Sequence, residues 1–84
     1  MDLSAFTRAG LKLKEIGCVV GVSHTTAGLW MRGQRTVHPL LEEKVTIILE
    51  DVDKAVQNGE LPLAATVPRT ERLEKITAIL NHTT

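Results

Sequence analysis

The sequence predicts an all-α protein, a compact domain of four to five helices. Three observations predict it. Apolar residues recur at the 3, 4, 7 spacing of a helix face in three separate stretches. Glycine or proline stands at the junctions, where helices stop and start. Strand signals are nearly absent, since the β-prone Cys18-Val19-Val20 and Thr46-Ile47-Ile48 sit inside helical patterns. The 84 residues suffice for one modest core. A core of that size is commonly supplemented by self-association.

Each element has its own signals. Leu3 to Ala9 forms a short first helix, with Asp2 or Ser4 as cap and Gly10 as stop. Leu13 to Val20 is the second, with Leu13, Ile16, Gly17 and Val20 on one face. Ser23 caps a third helix that runs to about Arg32 and ends at Gly33. The fourth opens at Pro39, a favoured first position, with Glu42 and Glu43 placed to suit the helix dipole. Its apolar stripe is Leu41, Val45, Ile48, Leu49, Val52 and Val56, and Asn58-Gly59 ends it. A fifth helix opens at Pro68 and carries Leu73, Ile76, Ile79 and Leu80 on one side. The chain thus divides into a domain over 1–58, a loose linker over 59–67 and a C-terminal helix over 68–84.

Composition narrows the function. With one Phe, one Trp and no Tyr, the chain lacks the aromatic platforms on which single-strand and RNA readers stack bases. One cysteine, Cys18, makes neither an internal disulfide nor a multi-cysteine zinc site, which suits a cytoplasmic protein. Met1-Asp2-Leu3-Ser4 has no basic start or apolar run of a signal peptide, and no apolar stretch approaches the ~20 residues of a membrane span. Net charge is zero but uneven. Residues 1–38 hold five basic groups (Arg8, Lys12, Lys14, Arg32, Arg35) against two acidic ones, whereas 39–84 hold five basic against eight acidic. That asymmetry is the form of a nucleic-acid face on a molecule whose other half does something else.

The informative segment runs from Leu13 to Arg32. A helix-turn-helix crosses two helices closely, so it needs a small inward residue on the first, and Gly17 is that residue. Its turn needs a residue comfortable at positive φ, supplied by Gly21. Val22 plugs the space between the helices and Ser23 caps the second. Ile16 and Val20 complete the inner face of one helix, and Ala27 and Trp30 that of the other. The spacing of Trp30 from Ala27 favours the core over a DNA contact for that side chain. The alternative for the whole segment is a helical hairpin that merely uses a glycine turn.

Gly21-Val22-Ser23, Trp30-Met31-Arg32-Gly33-Gln34-Arg35 and Val37-His38-Pro39 resemble the lambda repressor and Cro-like helix-turn-helix group of phage and bacterial regulators. The resemblance covers about residues 3–50. It implies a domain of four or five helices, a double-stranded DNA target with two half-sites, and a repressor role in a bacterial host cytoplasm. Three departures stand out: Gly17 replaces the usual Ala, Gly28 interrupts the recognition helix at a cost of roughly 1 kcal/mol, and Cys18-Val19 are greasy where polar residues are usual.

In this geometry the start of the recognition helix enters the major groove. Ser23, His24, Thr25 and Thr26 stand there, and Gly28 and Leu29 lie one turn further along. Hydroxyls reach phosphates or base edges, and a Thr methyl can contact that of thymine. His24 either donates to a guanine or is a solvated surface residue; Gly28 either admits the duplex closely or is a tolerated defect. Lys12, Lys14, Arg32, Gln34 and Arg35 suit phosphates, so they set affinity and salt dependence more than specificity. Two half-sites require a homodimer. Leu73, Ile76, Ile79 and Leu80, with the far end of the fourth helix, either form its interface or close the monomer core.

No catalytic constellation or phosphate loop is present, and the three histidines (His24, His38, His82) are scattered, so no enzyme, metal or cofactor is expected. Glu50-Asp51-Val52-Asp53 lacks calcium-loop spacing and reads as a solvated face. A different class of function remains: a protein-interaction module, such as an antitoxin or phage inhibitor, to which the acidic half and the Cys18-Val19 patch would be suited.

Overall fold

The computed structural model describes the backbone of residues 2–82 and the side chains of 2–80. Five helices follow one another: α1 (Ser4–Arg8), α2 (Leu13–Val20), α3 (His24–Met31), α4 (Pro39–Gln57) and α5 (Arg72–His82), with no strand among the described residues. The radius of gyration is 12.1 Å. That matches the roughly 12 Å of a single folded unit of this length.

Local chemistry explains where most elements begin and end. The Ser4 N–H donates to the Asp2 carboxylate at 2.8 Å, so Asp2 supplies the acceptor at the start of α1. The hydrogen bond from the Ser4 backbone holds the Asp2 carboxyl below its ordinary range. Pro39 opens α4 as expected, and His38 adds a cap, its Nδ1 accepting from the Leu40 N–H at 3.1 Å. Helix α3 ends in a Schellman turn: Gly33 at φ +72° donates to the Trp30 carbonyl and Gln34 donates to that of Leu29. The same pair of bonds closes α1 and α4.

The core gathers one face from every helix: Phe6 of α1, Ile16 and Val20 of α2, Ala27 and Trp30 of α3, Val45, Val52 and Ala55 of α4, and Ile76 and Leu80 of α5. On α4 the expected stripe is observed, with Leu41, Ile48, Leu49 and Val56 half-buried at its edges.

Four expectations need correction. Helix α5 begins at Arg72, not Pro68; residues 68–71 form a single turn closed by the Glu71 N–H on the Pro68 carbonyl. The first helical bond, Lys75 N–H to Glu71, starts only where Arg72 is tied down by the contacts described below. Residues 59–67 are no loose linker, because Leu61 is buried in the core, Leu63 packs against it, and the N–H groups of Glu60 and Leu61 both reach the Ala55 carbonyl. Leu13 is not inward but 42 % exposed, as the first residue of α2. Ile76 and Leu80 are buried within the monomer at 0 % and 8 % exposure, so they close the core and are not surface residues for a dimer. Half-buried Ile79 packs against the same core, whereas Leu73, at 37 % exposure, lies outside it.

No described helix is long and apolar enough to cross a membrane.

Candidate nucleic-acid interface

Helices α2 and α3 meet at Gly17. A Cβ built on Gly17 would stand 2.6 Å from the Val22 carbonyl oxygen and 3.3 Å from the His24 nitrogen, both backbone atoms. Even alanine therefore collides with the chain where it enters α3. The turn is made at Gly21, in the left-handed region at φ +93°, whose N–H and that of Val22 both donate to the Gly17 carbonyl at 2.7 and 2.9 Å. Val22 packs half-buried against the core as the plug.

Ser23 then caps α3. Its Oγ accepts from the Thr26 N–H at 3.2 Å and donates to the Thr26 hydroxyl at 3.1 Å. Those two hydroxyls are engaged in starting the helix, which leaves His24 and Thr25 as the exposed side chains of its first turn. Leu29 is half-buried, and its carbonyl serves the turn that carries Gln34 and Arg35. Trp30 is 6 % exposed and belongs to the core.

Gly28 departs from its expected exposure. It is buried under the Leu13 side chain, whose Cδ1 lies 3.4 Å from where a Cβ would be, and under the Arg32 guanidinium at 3.6 Å. Gly28 offers a duplex no open backbone while those side chains lie across it.

The basic candidates divide into two places. Lys12, Lys14 and His24 surround one groove, and Leu13 on its wall touches the site covered by Arg32. Arg35 instead borders a separate recess with Leu3, Trp30, Thr36, Val37 and Glu42.

Three residues of this region escaped sequence reasoning. Arg72 donates through Nε to Glu15 Oε2 at 3.0 Å and through Nη2 to Glu15 Oε1 at 3.2 Å and to the Gly10 carbonyl at 3.0 Å. Glu15 also accepts from the Lys12 N–H at 2.8 Å, as a third helical residue does in a capping box. This forked pair rivets α5 to the start of α2. Glu15 lay at a legible capping position, but its partner is 57 residues away and carried no local signal. The third residue is Arg69, which the turn before α5 sets on the rim of the groove beside Lys12 and Lys14. A cation of the acidic half thus joins the basic face.

Burial by itself would push the Glu15 carboxyl up. Hydrogen bonds from Arg72 and the Lys12 N–H, with the charges of Arg72 and Lys12, outweigh it and hold the group below its ordinary value. A depressed folded pKa gives stability that is present above the unfolded pKa and is lost as pH falls through the folded one. Thermal melts from pH 7 to about pH 3 should therefore show stability falling once pH drops below about 4.3. Glu15→Gln should lower stability at pH 7 by about 1–3 kcal/mol and flatten that acid limb. An unchanged acid limb would remove the pair from the account.

Among the described residues no three His, Cys, Asp or Glu side chains are grouped as a metal ion would require. No family model, curated protein or solved structure matches the chain.

Proposed function

We propose that this chain is a sequence-specific double-stranded DNA-binding regulator of the repressor type, acting as a homodimer on two related half-sites in a bacterial cytoplasm. The observation that carries the reading is the α2–α3 crossing at Gly17. That crossing presents the first turn of α3, with exposed His24 and Thr25, beside the cations Lys12, Lys14 and Arg69. His24 and Thr25 reach base edges, Ser23 and Thr26 shape the turn that aims them, and the cations meet phosphates. Arg32 shares the Leu13 side of this face, and Arg35 and Gln34 follow from the turn after α3. The dimer contact uses apolar surface outside the core. Leu40 and Ile47, exposed two turns apart on α4, offer such a surface.

The test is selection from a random duplex library at about 50 and 200 mM salt. If Lys12, Lys14, Arg32, Arg35 and Arg69 all reach phosphates, the fourfold rise in salt weakens binding by about 500-fold per protomer. Enrichment of a palindrome, lost when Thr25 and Arg32 are both replaced by alanine, is the expected result. Weak, unselective binding would sink the reading in favour of a protein-interaction module, for which exposed Leu13 and Cys18 would then be the starting surface.

A further inference from the structure

The groove beside α3 has a character that a phosphate-binding surface does not need. Among the described residues Leu13, Leu40, Ile47 and Leu73 are the large hydrophobic residues left exposed, and two of them, Leu13 and Leu73, line this one groove together with the exposed Cys18. Contiguous exposed apolar surface calls for an occupant where scattered single residues do not. The rim is cationic: Lys12, Lys14, Arg69 and Arg72 stand around it with a single carboxylate, Glu15. Glu15 is committed to Arg72, and no ion pair among the described residues engages Lys12, Lys14 or Arg69. The volume is about 560 Å³, within the roughly 300–1,000 Å³ of small-molecule sites.

We propose that this groove binds a small amphiphilic carboxylate, with its apolar chain or ring against Leu13, Cys18 and Leu73 and its anionic head among Lys12, Lys14 and Arg69. The charge selects the occupant. A second copy seated by its own equivalent groove would bring like charges together. A sugar-phosphate backbone would satisfy the cations and leave the leucines uncovered. An anion with an apolar body satisfies both. His24 on the rim puts that occupant beside the first turn of α3.

The probe is the aromatic sulfonate 1-anilinonaphthalene-8-sulfonate, titrated into the full chain without DNA, so the result stands or falls independently of the proposed function. Saturable one-to-one fluorescence is expected, displaced by decanoate and not by decanol or decyltrimethylammonium at equal concentration. Leu73→Asp and Arg69→Glu should each weaken the probe tenfold or more while their thermal transitions remain cooperative. Equal affinity in both variants, displacement by decanol as effective as by decanoate, or no saturable binding would overturn the proposal. Attachment to anionic phospholipid vesicles without displacement of the probe by monomeric decanoate would also overturn it, because the occupant would then be a bilayer surface.

Discussion

Replacing Gly17 by alanine should destabilise the protein, whereas the same change at Gly28 should stabilise it. Both glycines lie inside helices and both are buried. Helix propensity alone favours alanine at each by roughly 1 kcal/mol. At Gly17 that gain is overwhelmed, since the new methyl group would meet the Val22 carbonyl at 2.6 Å and neighbouring backbone that cannot swing away. Relief requires the α2–α3 crossing to open, and overpacking of this kind costs about 1–3 kcal/mol. At Gly28 the neighbours are the ends of two flexible side chains, Leu13 Cδ1 at 3.4 Å and the Arg32 guanidinium at 3.6 Å, which is ordinary contact. Gly28→Ala should therefore gain about 0.5–1 kcal/mol. In a domain this size each kcal/mol moves the melting temperature by about 4–8 °C, so two thermal melts decide the matter. Equal shifts of one sign would mean that the crossing is not where the chain is tightest. Under the proposed function a second readout follows: Gly17→Ala should lose DNA binding with the crossing, whereas Gly28→Ala should keep it.

Ile76→Asp should abolish cooperative folding, and Leu73→Asp should not. From sequence the two residues are equivalent, three positions apart on the apolar side of one helix. In the structure Ile76 is 0 % exposed and Leu73 is 37 % exposed. An aspartate at 76 loses a buried side chain worth about 2–5 kcal/mol. It also places an unpaired charge in the core, at a further penalty of about 3–5 kcal/mol. Together these approach the whole 5–15 kcal/mol stability of a typical domain. At position 73 the carboxylate stays in water, and the loss should be about 1 kcal/mol or less. Circular dichroism of the two variants separates them directly. A folded, monomeric Ile76→Asp protein would return α5 to the role of a detachable dimerisation element.

The elements read best from sequence were those whose causes are local. Helices α2 and α4 begin and end where Leu13, Val20, Pro39 and the Asn58-Gly59 stop had placed them. Ser23 caps α3 as expected, and Gly17 and Gly21 make the crossing and the turn. Capping, positive φ and helical period act within four or five residues, so a linear reading sees them.

What local reading missed depended on partners far along the chain. Leu73 and Ile76 share a periodicity, and periodicity names a face without saying what covers it. Gly28 looked open until Leu13, fifteen residues earlier in sequence, folded across it. Charge summed by halves assigned Arg69 and Arg72 to the acidic side, yet the turn before α5 brings both to the basic groove. The Glu15–Arg72 fork shows the same limit, with a capping carboxylate legible in place and a guanidinium 57 residues away that completes it. By itself, then, the sequence determined helices α2 to α4, the Ser23 cap and the tight crossing, because those follow from backbone sterics and hydrogen bonds between near neighbours. Only the tertiary structure decided which apolar residues are core and which cations share a face, because burial and electrostatics depend on distance in space.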